Sequence, residues 1–172
     1  GFADPVEGAI YLLNRIDVPE AVAWTDGEVA RNIIFADQPD RLLTTYKLES
    51  NGVRTALQHA IMHTRGLIAR PWQQGMTLGA SESAGALHVA IKAESDWTGK
   101  LCFDIPRHKD YMGFKHDWPR MNSMPEWFTV EAKQKYVVKD LSNGSKKTYT
   151  GQQLHEGLKL ELKAGEERLL LI

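Results

Sequence analysis

Leu158, Leu160 and Leu162 alternate with Lys159, Glu161 and Lys163, and this period of two constrains the fold more than any other feature of the chain. Successive side chains of a strand point to opposite faces, so such a run buries one face and leaves the other in water. Lys163-Ala164-Gly165-Glu166 supplies a turn, and Arg168-Leu169-Leu170-Leu171-Ile172 returns as a buried strand. Upstream, Lys135–Leu141 is a short β-type run, Ser142-Asn143-Gly144-Ser145 is turn chemistry, and Lys146–Tyr149 resumes the extended pattern. Asn-Gly supplies the positive φ angles of a tight hairpin. Between these strands, Gly151–Gly157 is bracketed by glycines and fits one helical turn or a loop. The C-terminal third is therefore expected to be antiparallel β.

The middle of the chain continues in this way. Leu87, Val89 and Ile91 share one face of the stretch 86–93, and a second strand over Lys100–Ile105 stops at Pro106, which lacks a ladder donor. From Arg107 to Glu126 no periodicity is visible, and irregular stretches of that length inside a compact domain are often functional. In the N-terminal third, Asp26-Gly27 suggests a turn between strands at Ala21–Trp24 and Val29–Phe35. Leu42–Leu48 suggests a further strand, with Asn51-Gly52 as its hairpin. Val53, Ala56, Leu57, Ala60 and Ile61 follow helical spacing, so 53–64 stays open between helix and strand. The expectation is a mainly β chain, an antiparallel β-sandwich of jelly-roll type forming one domain over 1–172, with a helix near 53–64 as the alternative there.

Composition narrows the function classes. At 172 residues, 42% hydrophobic and 25% charged, the chain can bury a real core and is not expected to be disordered. The net charge is −1 and the basic residues are interleaved with acids, so no stripe for a phosphate backbone is visible and nucleic acid is not an expected partner. No apolar run approaches the ~18–20 residues of a membrane-spanning helix, and no membrane partner is expected. Cys102 stands alone between Leu101 and Phe103, which suits a buried, inert thiol. Gly1-Phe2-Ala3-Asp4-Pro5 has the look of a truncated or processed start. Asn143-Gly144-Ser145 satisfies the glycosylation sequon, but its hairpin chemistry is reason enough for it.

Two constellations could carry chemistry. His59 and His63 are four residues apart, which on a helix is a zinc-binding spacing. The residue after the first histidine is Ala60 rather than the glutamate of the zincin pattern, so two surface histidines are expected, with no metal and no cofactor. The second constellation is Asp104–Tyr111 followed by Phe114–Arg120. Its Asp, Arg, His, Lys and Tyr fall beside Phe and Trp, the mixture that sugar binding wants: aromatic faces stack on a pyranose while planar polar groups bond its hydroxyls. Arg107, His108, Tyr111, Asp117, Trp118 and Arg120 are the candidate ligand-binding residues there. Trp97 is added as an exposed platform in a turn. Trp72 and Trp118 are expected to be exposed as well, and Trp24 and Trp127 to lie in the core. The bland alternative is a loop anchored by Phe114, Trp118 and Met121 with surface ion pairs. No phosphate loop, nucleophile elbow or paired-cysteine knuckle occurs.

Trp127–Glu131, Tyr136–Leu141, Tyr149-Thr150-Gly151, Leu154, Gly157-Leu158 and the final Leu-rich strand form a recurring order. Over residues 127–172 this resembles the C-terminal accessory β-sandwich domains that follow catalytic domains in bacterial glycoside hydrolases. There a strand ending in Asp-Leu, the pattern Y-x-G-x-x-L-x-x-G-L and a last buried strand complete the sandwich. The resemblance implies a non-catalytic carbohydrate-associated module, with a polysaccharide or oligosaccharide and a neighbouring catalytic domain as partners and a secreted or periplasmic location. It carries over no nucleophile or acid. The alternatives are a small polysaccharide lyase or hydrolase using His108, Tyr111 and a carboxylate, and a structural or protein-interaction domain without a glycan site.

Overall fold

A computed structural model describes residues 3–32 and 50–172. The chain divides into two compact units, Gly1–Met62 with Asp117–Pro125, and His63–His116 with Glu126–Ile172. The boundary falls in the last turn of a helix and in the middle of the irregular stretch.

The second unit is β, and the chain as a whole is mainly β with two antiparallel sheets, as expected of a β-sandwich-like fold. Its strands are β1 (Ile68–Arg70), β2 (Met76–Ser83), β3 (Ala86–Ala93), β4 (Trp97–Cys102), β5 (Lys135–Asp140), β6 (Lys146–Thr150), β7 (Leu158–Leu162) and β8 (Glu167–Leu171). One sheet has the order β1-β4-β7 and the other β2-β3-β8-β5-β6. The register explains the alternation seen in sequence. Val89 stands opposite Leu170 and Leu101 opposite Leu158, so their buried faces coincide. Leu67, Leu87, Phe103, Val130, Val138 and Leu154 complete that core, and Met76, Ile91, Ala93, Trp97 and Leu162 form a second cluster. Cys102 is a buried free thiol, as its neighbours suggested.

The C-terminal motif has a structural reason at nearly every position. The Asp140 carboxylate accepts from Ser142 N (2.9 Å), Asn143 Nδ2 (2.9 Å) and Arg168 Nη1 (2.9 Å), tying the β5–β6 hairpin to β8. Thr150 caps the six-residue helix Gly151–Glu156: its Oγ1 accepts from Gln153 N at 3.2 Å, and the Gln153 side chain accepts from Thr150 N at 2.9 Å. This is a capping box with glutamine in the acidic position. Gly151 is required by close approach, since a Cβ there would lie 2.0 Å from the Glu131 carbonyl oxygen. Leu154 is fully buried, and Gly157, at φ +115°, ends the helix and leads into β7. Arg168 also meets Glu166 at 2.6 Å. The Lys163 N–H and then Arg168 hold the Glu166 carboxyl below the usual glutamate range.

The first unit carries the helices α1 (Ala3–Leu13), α2 (Pro19–Asn32) and most of α3 (Ser50–Thr64), with Asp117–Pro125 as an irregular segment. This corrects the strands expected over Ala21–Trp24 and the start of Val29–Phe35; Ile33–Phe35 and the strand expected at Leu42–Leu48 lie outside the described residues. Pro19 opens α2 at a position where its missing N–H is no loss, Glu20 and Arg31 suit the helix dipole, and the Asp26-Gly27 pair is carried inside the helix. Thr25 and Val29, four residues apart, are its buried stripe. The hairpin expected at Asn51-Gly52 is instead the first turn of α3, and 53–64 is helical. Inside this unit Glu7 is a buried polar hub. It pairs with Arg54 (2.7 Å) and accepts from Gln58 Nε2 at 3.3 Å. Gln58 Nε2 also donates to the Ser123 carbonyl at 2.6 Å, and the Tyr11 hydroxyl donates to the Asn122 carbonyl at 3.1 Å. No helix among the described residues is long and apolar enough to cross a membrane.

Candidate functional site

Of the residues singled out in the sequence, the structure gathers Arg107, His108 and Tyr111 in the β unit and Asp117, Trp118 and Arg120 in the helical unit. Trp97 joins neither set. It opens β4 instead of occupying a turn, is 2% exposed, packs over Gly99, and donates from Nε1 to the Pro71 carbonyl at 2.8 Å. A ring enclosed in this way has no face left for a sugar, which corrects its expected exposure. Trp24, expected in the core, is 43% exposed on α2. Trp127 is half-buried with the Arg65 guanidinium 4.6 Å from its ring centre, and Trp72 and Trp118 are exposed as expected.

The site in the β unit begins at Asp104, which closes an isolated bridge with Thr129 just after β4. Pro106 then starts a single helical turn, α4 (Arg107–Asp110). Proline suits such a start because its φ is already near the helical value. Arg107 Nε donates to both Asp104 oxygens (3.0 and 3.1 Å) and Nη2 to Oδ2 (3.0 Å), a fork-on-carboxylate pair that fixes the guanidinium plane. His108 is held from two sides by Glu126: its backbone N–H donates to Oε1 at 2.6 Å, and Nδ1 lies 2.6 Å from Oε2. A carboxylate only accepts, so the ring donates from Nδ1 and Nε2 is the nitrogen turned to other work. The Glu126 side chain is 5% exposed and that of His108 19%. Lys109 pairs with Glu131 at 3.0 Å on the surface. Tyr111 ends the turn at 74% exposure. Two polar side chains locked by buried or half-buried carboxylates thus stand within four residues of a bare aromatic ring.

In the helical unit, Arg15 donates to the Asp117 carbonyl, and its guanidinium lies 3.9 Å from the Asp117 carboxylate. Trp118 and Met121 are exposed around a tight turn in which Arg120 takes φ +65° and Met121 N donates to the Trp118 carbonyl at 3.2 Å. Residues 53–64, left open between helix and strand in the sequence, are helical, so His59 and His63 share one face of α3. His59 Nε2 lies 2.7 Å from Asp26 Oδ1, and His63 is exposed. Burial, and then Glu7, raises the Tyr11 hydroxyl above the usual tyrosine range.

Glu126 gave no signal of its role in the sequence, because its partner is eighteen residues away in a stretch without periodicity. Asp104 opens the polar constellation read from the sequence, and its spacing to Arg107 could have suggested their pairing. Comparison with protein-family models, with curated proteins and with solved structures finds no match.

Proposed function

We propose that the chain is a non-catalytic, carbohydrate-associated module whose glycan contact in the β unit is the turn Arg107–Tyr111. The observation that carries this reading is the pairing of an open aromatic ring, Tyr111, with two side chains already fixed in orientation, Arg107 by Asp104 and His108 by Glu126. Stacking on the ring supplies affinity, and pre-set polar groups bond hydroxyls without losing further side-chain freedom. The resemblance of residues 127–172 to accessory sandwiches of glycoside hydrolases supports the same class, with a neighbouring catalytic domain as partner. Affinity electrophoresis over a panel of neutral polysaccharides tests it: retention is expected, and Tyr111→Ala should weaken it about fivefold with unchanged circular dichroism. Retention on no glycan, or equal retention by the variant, would sink the assignment. Trp118→Ala separately reports on the exposed turn of the helical unit.

A second reading is favoured by one feature. A histidine whose Nδ1 is held by a buried carboxylate is the arrangement of a general base, with Nε2 as the working atom. A lyase or hydrolase of this kind would release product from a polysaccharide panel, and His108→Ala would abolish the release. Binding without product release favours the module.

A further inference from the structure

The β4–β7 ladder sets Lys100 directly opposite Lys159. Like charges facing each other across an antiparallel pair destabilise it, and a third lysine adds to the same place. Lys147, from the edge strand β6, lines one cavity of about 390 Å³ with Lys100 and Lys159, together with Tyr149, Gln153 and Glu156. Three ammonium groups against the one Glu156 carboxylate leave the cavity at +2. The contacts made by these lysines do not relieve that charge. Lys100 Nζ donates to the Glu156 backbone carbonyl at 3.4 Å, and Lys147 Nζ stands 5.2 Å from the centre of the Tyr149 ring. Among the described residues no ion pair joins any of the three to a carboxylate. Elsewhere in this unit Lys109 and Lys163 are paired with Glu131 and Asp96; what distinguishes this place is that three lysines line one cavity. A second cavity of about 680 Å³ shares Lys100 and Lys159 and continues past Thr98 and Glu161, so the basic groove is longer than one sugar-sized pocket.

We infer that this groove binds an acidic glycan, its carboxylate or sulfate group held by Lys100, Lys147 and Lys159 and its ring set beside Tyr149 and Gln153. An anion placed there removes the Lys100–Lys159 repulsion, and an ammonium suits it as a point charge that needs no fixed plane. The choice of a sugar rests on the carbohydrate reading above; the need for an anion rests on the lysines alone.

The test is titration calorimetry on the whole chain at low salt with four probes: trigalacturonate, a heparin-derived tetrasaccharide, a neutral xylotetraose, and inorganic sulfate. One acidic oligosaccharide should bind at least about tenfold more tightly than the neutral one and than inorganic sulfate, and raising the salt should weaken it. Which of the two binds identifies the carboxylate or the sulfate as the recognised group. The double variant Lys147→Gln, Lys159→Gln should lose about tenfold or more of that affinity while keeping its circular dichroism, and Lys133→Gln, an exposed lysine that lines neither cavity, should leave it unchanged. Equal affinity for acidic and neutral probes overturns the inference, as does wild-type binding by the lysine variant. Inorganic sulfate binding as tightly as either oligosaccharide also overturns it, leaving a simple ion site. Acidic binding that follows the lysines, with no neutral glycan held through Tyr111, would overturn only the earlier assignment of the Arg107–Tyr111 turn.

Discussion

Two parts of the β unit invite comparison, the C-terminal run from Lys135 to Ile172 and the two ends of the irregular connection, Asp104–His116 and Glu126–Glu131. Both carry acids, bases and aromatics, yet they use them differently. In the C-terminal run the polar groups serve the backbone: Asp140 closes a hairpin and holds Arg168, Thr150 caps a helix, and Gly151 lets that helix sit against the carbonyl of Glu131. In the connection the polar side chains hold one another, Asp104 with Arg107 and Glu126 with His108, and leave Tyr111 bare beside them. A motif can therefore be rich in polar residues and still specify only architecture. The residues that define the resemblance are those the sandwich needs to close.

The largest expected effect lies on the architectural side. Gly151→Ala would drive a methyl group into the Glu131 carbonyl, and backbone cannot yield as a flexible side chain does. We expect a loss of about 3 kcal/mol in urea unfolding followed by circular dichroism. A loss below about 0.5 kcal/mol would mean that the helix is not docked as described. Next comes Glu126→Gln, which keeps the shape but replaces a carboxylate oxygen facing the His108 ring with an amide. A loss of about 1.5 kcal/mol is expected by the same measurement. If it matched Gly151→Ala, the connection would be architecture too and the contrast would fail. The smallest effect concerns a surface turn. The Ala164 N–H and then Lys163 hold the Asp96 carboxyl below the usual aspartate range. A depressed carboxyl contributes stability that is present above its unfolded value and is lost as pH falls through the folded one. The urea midpoint should therefore fall slightly more steeply on acidification below about pH 4 in wild type than in Asp96→Asn. Identical acid limbs would show that the exposed contact contributes nothing.

The period-two runs at 86–93 and 158–163 were legible as strands because a half-buried strand has to alternate, the runs at 135–141, 146–149 and 168–172 by their β-type or apolar residues, and the turn residues Asn143-Gly144 and Gly165 marked where runs end. The capping pattern Thr150-x-x-Gln153 could likewise be read locally. Of the candidate site, Arg107, His108 and Tyr111 were nameable because they fall within five consecutive residues. The failures have a common cause. Ala21–Asn32 carries apolar residues that suit either period over so short a window, and which one prevails depends on what the segment packs against. Trp97 looked like a surface ring because it follows a polar turn, and only the Pro71 carbonyl and the Gly99 backbone make it a core residue.

By itself the sequence determined the β character of the C-terminal half, the places of its turns and the buried thiol, since these follow from side-chain alternation and local backbone preference. Tertiary structure alone decided the pairing order β2-β3-β8-β5-β6, the helical nature of α2, the grip of Glu126 on His108 and the convergence of three lysines from β4, β6 and β7. Each of these joins residues distant in the chain, and no local periodicity encodes which distant neighbour a side chain will meet. The C-terminal alternation therefore fixed which faces are buried, while the long-range register decided that Lys100 and Lys159 would face each other on the exposed one.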